Sequence, residues 1–256
     1  MKRALKAVVC AVLCACICLS LTACLKLPFG ISVFSKGKAE IDGTIYKIDI
    51  DWPSGQVIVM GSGQNEIGLS LVAGDESILL SRQLGSTLFI KCAEGTVDGG
   101  TLLVRVPRDT GFSEIEIRTE GASATITDIS AERLDVAAGG GAIISHDCRV
   151  TEVVELQTDT GSAEASFDAP EYDLVTNSGE MAVTCLKTPE KADCDFSGGI
   201  INLILPSDSG FTAHGSGEMN FEGFKTEEKS GKTVCGDGAA DIKVSTKDGT
   251  LNIISQ

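Results

Sequence analysis

The chain has 256 residues, in which 36 acidic side chains outnumber 21 basic ones for a formal net charge of −15. Such a surface excludes nucleic acid and anionic headgroups as natural partners and favours cationic peptides, divalent ions or basic proteins. Glycine is frequent at 29 residues and proline scarce at 6, which suits many tight turns between short strands, while one Trp and two Tyr are too few for the exposed aromatic platform of a carbohydrate groove.

At the start of the chain Lys2, Arg3 and Lys6 form a basic segment, followed by an apolar stretch from Ala7 to Leu19 that is too short to span a bilayer. Residues 1–23 read as a signal peptide. It ends in Leu21-Thr22-Ala23-Cys24, which resembles the lipobox of bacterial lipoproteins, in which the cysteine is diacylated and becomes the new N-terminus. Cys24 is therefore the expected lipid carrier, and the expected location is the extracytoplasmic face of a cell membrane, with acyl chains replacing a spanning helix. Residues 24–38 have no clear pattern and read as anchor and tether. The remaining 39–256 read as one body.

Residues 24–256 carry 18 basic and 36 acidic side chains, a formal charge of −18. Five cysteines besides Cys24 survive removal of the signal: Cys92, Cys148, Cys185, Cys194 and Cys235. An odd number cannot pair completely within one chain. Cys148 and Cys185 fall in similar places of repeats two apart, too distant for a disulfide, so these side chains read as small hydrophobes in the interior. No Cys or Cys/His spacing suggests zinc.

Alternating apolar positions begin at Ile48, Ile50 and Trp52, turn at Gly55, and resume at Val57 and Val59. Strands are expected over Ile67 to Val72, Ile78 to Leu80, Thr87 to Ile90 and Leu102 to Val106, with looser spacing, before Pro107 closes the section. Between Glu114 and Leu205 one pattern is repeated five times. Around the turn residues Ala122, Gly141, Gly161, Gly179 and Gly199, the position five before holds Ile117, Val136, Leu156, Leu174 and Cys194, and the position two after holds Ala124, Ile143, Ala163, Met181 and Ile201. A weaker copy covers Phe211 to Phe221, and the polar segment from Thr226 to Gly238 reads as a surface loop. The last copy turns at Gly249, with Ile242 and Val244 before it and Leu251 and Ile253 after.

The turn residues recur every 18 to 20 positions, the mark of a stacked-repeat fold, and period-two alternation makes the segments strands. The expected architecture is all-β: a single-chain β-solenoid with two facing parallel sheets and rungs of about 19 residues. About eleven rungs at about 4.8 Å would extend some 50 Å, with the tether and the last residues, Ser255 and Gln256, as candidates to cap the ends.

Ile48-Asp49-Ile50-Asp51-Trp52-Pro53-Ser54-Gly55, Leu103-Val104-Arg105-Val106-Pro107, the Thr-x-x-Gly turns at Thr158 and Thr176, and Lys243-Val244-Ser245-Thr246-Lys247-Asp248-Gly249 together resemble the bacterial putative-adhesin domain of unknown function. The resemblance runs from about residue 40 to the end. It implies a β-repeat body with no defined ligand and no catalytic residue to carry over, and some members of that family are linked to envelope-stress responses. Ala122 departs from the usual turn glycine.

A solenoid converts sequence columns into surface ladders. Six before each turn residue stand Glu116, Asp135, Glu155, Asp173 and Asp193, with Asp49 in the equivalent place of the first copy. Apolar neighbours on both sides require these carboxylates to face outward. Stacked like charges weaken a sheet, and Arg118, Arg133 and Lys191 are near enough in sequence to offset part of the repulsion. The column reads either as a solvated acidic face or as a docking surface for a divalent cation, a cationic peptide or another envelope or host protein. His146 and His214 sit in no nucleophile or metal motif, and no phosphate-binding loop is present. No catalytic residue, cofactor site or metal site is assigned. The expected function is non-enzymatic binding at the cell surface, for adhesion or stress sensing, against the alternatives of a passive spacer or a β-helix polysaccharide enzyme.

Overall fold

A computed structural model describes residues 34–36, 41, 43–96 and 98–256 of the chain. The signal peptide, Cys24 and most of the tether lie outside these residues. The described residues are all-β, with one short 3-10 turn at Glu76–Ile78.

The strands in chain order are β1 (Ser35–Lys36), β2 (Lys47–Asp51), β3 (Gln56–Ser62), β4 (Gly68–Ala73), β5 (Leu79–Leu84), β6 (Thr87–Cys92) and β7 (Thr101–Pro107). There follow β8 (Gly111–Thr119), β9 (Ser123–Thr127), β10 (Ser130–Ala138), β11 (Ala142–Thr158), β12 (Ser162–Asp168), β13 (Glu171–Thr176) and β14 (Glu180–Cys185). The chain ends with β15 (Lys191–Phe196), β16 (Ile200–Leu205), β17 (Phe211–Glu222), β18 (Thr226–Lys229), β19 (Lys232–Cys235) and β20 (Ala240–Ser255). The long strands β11, β17 and β20 each serve two sheets, crossing from one to the other partway along.

Each rung gives one strand to each of two facing parallel sheets. The first sheet runs β6, β2, β8, β10, residues 149–158 of β11, β13, β15, residues 240–246 of β20 and residues 211–216 of β17. The second runs β7, β3, β9, residues 142–146 of β11, β12, β14, β16, residues 250–255 of β20 and residues 218–222 of β17. Nine parallel rungs result among the described residues, rather than the eleven expected.

The difference has two sources. The segments at β4 and β5 do not form a parallel rung; they fold back antiparallel on β7 and β6, and β1 continues antiparallel on β5. The segment from Thr226, expected as a loop, is a hairpin: β18 pairs with β19 through a two-residue turn at Ser230 and Gly231, both at positive φ, and β19 pairs antiparallel with β17. These antiparallel strands, not the chain terminus, cover both sheets at one end of the stack and the first sheet at the other. Ser255 lies inside it, aligned with Leu205. Nor does the stack follow chain order. The rung of β2 and β3 lies between those of β6–β7 and β8–β9, and β20 lies between the rungs of β15–β16 and β17.

Alternation sets the core. Leu134, Val136 and Leu174 are fully buried and Leu156 is 1 % exposed, so the inward phase of the central copies is the one the sequence implies. Burial of such a side chain contributes roughly 1.5–3 kcal/mol. Cys194 occupies the same column, beside Leu174. All five cysteines are buried free thiols; Cys148 aligns with Phe167, and Phe167 with Cys185, so the two cysteines are two strands apart. Burial pushes the Cys185 thiol up to about 12 and raises those of Cys148, Cys194 and Cys235.

The corner between the sheets explains the turn residues. A Cβ on Gly161 would stand 2.0 Å from the Gly141 carbonyl oxygen, and one on Gly179 would stand 2.2 Å from that of Gly161. Successive backbones therefore touch at these two positions and leave no room for a side chain, whereas Ala122 keeps a buried methyl group at the same corner in the first central copy. Buried threonines close the corner from within: the Thr176 hydroxyl oxygen accepts from the Gly179 N–H at 2.9 Å, and the Thr158 hydroxyl donates to it at 3.0 Å. At the opposite corner Asp128 and Asp147 take the left-handed conformation, φ +57° and +56°, which aspartate tolerates better than most residues.

Candidate functional site: a carboxylate column on the first sheet

The strand register brings the predicted acidic residues together. Asp49 aligns with Glu116, Glu116 with Asp135, Asp135 with Glu155, Glu155 with Asp173, and Asp173 with Asp193. The sequence identified Asp49 as equivalent to the others; the inserted position of β2 makes it their immediate neighbour. Six carboxylates therefore stand on six adjacent strands at about 4.8 Å spacing. Lys243 and then His214 continue the line beyond Asp193.

All six side chains lie outside the core and are partly shielded. Cations of the same sheet hold four of them. Arg118 pairs with Asp49 at 2.9 Å and with Glu116, Arg133 pairs with Glu155, and Lys191 pairs with Asp193 at 2.5 Å. Sequence proximity pointed to these three cations but not to Lys47, which reaches Glu114 at 2.8 Å and Glu116 at 3.6 Å from 67 and more positions away. Aligning the first copy with the first central copy as neighbours would have found it.

Asp135 and Asp173 make no ion pair among the described residues. Burial raises the Asp135 carboxyl above its ordinary value, opposed by Arg133 and Arg118. Asp173 is also raised, first by burial and then by the charge of Asp193, against Lys191. At Asp193 the oxygen facing Lys191 is satisfied, whereas Oδ1 is buried with no hydrogen-bond partner among the described residues. The column thus alternates between compensated and uncompensated carboxylates in its middle.

The outer face of the second sheet has a different chemistry. Ile58, Ile144, Ala182, Asn202, Asn252 and Asn220 share one row there. Asn252 donates to Asn202 at 2.7 Å and Asn220 to Asn252 at 3.1 Å, a side-chain ladder that ties three strands. A shallow groove of about 420 Å³ on this face is lined by His146, Ser166, Glu164 and Thr184 among others, but the His146 ring makes no hydrogen bond with them. His214 lies instead beside Asp241, 2.9 Å from Nε2 to Oδ1. Among the described residues no group of three or more His, Cys, Asp or Glu is arranged to hold a metal ion.

Two facing parallel sheets, glycine corners and outward side-chain ladders define the chain as an all-β solenoid. The sequence profile of the family described as Toastrack DUF4097 matches residues 51–254, most of the chain, and the protein belongs to that family. Two solved structures are similar. A putative cell adhesion protein from Clostridium sporogenes matches at 10 % identity and TM-score 0.40 over 88 % of this chain and 100 % of that one. A putative adhesin from Bacteroides fragilis matches at 15 % identity and TM-score 0.47 over 88 % of this chain and 96 % of that one. None of the curated proteins matches the chain.

Proposed function

We propose that this protein is a lipid-anchored, non-enzymatic component of the outer cell surface that binds a cationic partner, a basic peptide or basic protein segment, along the carboxylate column. The anchor is Cys24, as the residues leading up to it imply. The observation that carries the reading is the pair Asp135 and Asp173, two carboxylates with raised pKa on either side of Glu155 and without an ion-pair partner among the described residues. An extended basic peptide laid across the strands offers several charges at once, which suits a row of carboxylates better than a single ion does. Binding of this kind serves either adhesion or the sensing of cationic agents at the envelope.

The passive-spacer reading has its own support in Arg118, Arg133, Lys191 and Lys47, which already offset much of the column. Titration of the mature protein, held in nonionic detergent, with an oligolysine of about ten residues separates the two. The column reading predicts saturable binding that weakens as salt shortens the Debye length to about 8 Å at physiological ionic strength. It also predicts a loss of at least about tenfold, or 1.4 kcal/mol, when Glu116, Asp135, Glu155, Asp173 and Asp193 are all changed to amides. Unchanged affinity in that variant leaves the spacer.

A further inference from the structure

The two sheets do not end together at the C-terminal end of the stack. The first sheet continues past β17 with β19 and β18, whereas the second stops at residues 218–222 of β17, which among the described residues pair with β20 alone. One side of this segment is a row of backbone groups with no strand beside it among the described residues. Along it Glu218, Asn220 and Glu222 are exposed, while Met219 and Phe221 turn inward, half-buried against the core. Beneath them Phe211 stacks on Phe221 with ring centroids 6.0 Å apart and meets Phe224 edge-on at 5.1 Å. The open edge therefore joins three elements: unpaired backbone, an apolar inner side that ends in aromatic rings, and an acidic outer side.

We propose that residues 218–222 of β17 form a strand-addition site for an extended peptide in which basic and apolar residues alternate. An added strand extends the second sheet by one position, its backbone bonding to the free edge of β17. Its apolar residues lie over Met219 and Phe221, and its basic residues face Glu218 and Glu222. This pattern selects against the most available alternative, a second copy of the same chain. Pairing two such edges with apolar sides together sets glutamate against glutamate, which is destabilising for directly opposed strand positions, and a one-residue slip turns the apolar side chains to water. A basic strand meets neither obstacle.

The site is independent of the carboxylate column, which lies on the other sheet. The test uses the mature protein in nonionic detergent and a synthetic peptide of about nine residues alternating Lys and Val. A second peptide of the same sequence is N-methylated at every residue, keeping charge and apolar surface but removing the backbone donors. Binding of the first peptide to saturation is expected, weakened at least about tenfold by N-methylation and by the double change Glu218→Lys with Glu222→Lys. Both losses are expected to persist when measured in the variant carrying amides at all five column positions, where the column no longer competes for the basic peptide. Absence of saturable binding, equal affinity of the N-methylated peptide, indifference to the change at Glu218 and Glu222, or disappearance of both differences in the column variant would each overturn the proposal. Because Glu218 and Glu222 are exposed, their replacement leaves the core intact, and the N-methylated peptide tests the same point without altering the protein.

Discussion

Asp135 and Asp173 stand on either side of Glu155 in one line of the first sheet, yet Arg133 pairs with Glu155 and neither aspartate has an ion pair among the described residues. Their carboxyl pKa values are raised above the ordinary 3.8, chiefly by burial. A carboxyl whose pKa is higher in the folded state holds its proton to a higher pH than in the unfolded chain, so its contribution to stability falls as pH rises through the folded value.

Asp135→Asn and Asp173→Asn should therefore each raise stability at pH 7, by about 0.5 kcal/mol, the scale of a relieved like-charge neighbour in a sheet. The gain relative to the natural protein should shrink as pH falls through the raised folded values and be gone below 3.8, where both forms of the chain are protonated. Urea unfolding midpoints of variant and parent at several pH values check both the sign and the window.

The glycine corner makes a sharper claim. Gly161→Ala places a methyl group 2.0 Å from the Gly141 carbonyl oxygen, so the stack must part locally. A loss of about 1–3 kcal/mol is expected, the usual range for overpacking a tight site. Gly63→Ala and Gly111→Ala, where a new Cβ meets nothing within 4 Å, should leave the unfolding midpoint nearly unchanged.

On the second sheet, Asn252→Ala removes the central member of the ladder that joins Asn202 and Asn220. Losing two side-chain hydrogen bonds at a half-exposed site should cost on the order of 1 kcal/mol. Asn220→Ala breaks only the outer bond and should cost less, a ranking readable from thermal unfolding.

The thiols offer a test of the core. Cys92, Cys148, Cys185, Cys194 and Cys235 are buried, and burial raises the Cys185 pKa to about 12, so little thiolate is present near neutral pH. A water-soluble disulfide reagent should react with the native protein only slowly and with five thiols rapidly once the domain is unfolded in denaturant. Fast native reaction at Cys185 or Cys194 would place the inward phase of β14 or β15 in error.

Much of this architecture can be read from the chain because a two-residue alternation leaves little freedom. Once Leu134, Val136, Leu156 and Leu174 face in, Asp135, Glu155 and Asp173 must face out, and the column follows. The order of stacking is not legible in the same way. Each copy presents a similar apolar row to its neighbours, so Ile48 and Ile50 could lie beside any rung; only the fold shows them aligned with Ile115 and Ile117 on one side and Leu88 and Ile90 on the other. Lys47 was missed for that reason. The antiparallel end strands did leave a trace, since the pairs Gly85-Ser86 and Ser230-Gly231 are two-residue hairpin turns, with Leu84 opposite Thr87 and Lys229 opposite Lys232. Charge and glycine content around Ser230 read as a loop because β18 is exposed on nearly its whole length and shows no alternation.

The column's role is tested most directly by carbon-13 carboxyl resonances of Asp135 and Asp173, titrated with pH in the presence and absence of saturating oligolysine. If the peptide lies along these strands, both resonances shift on binding and both midpoints fall toward the ordinary aspartate value, because an adjacent positive charge favours the ionised form. Titration curves for the two aspartates that superimpose with and without bound peptide would contradict the assignment.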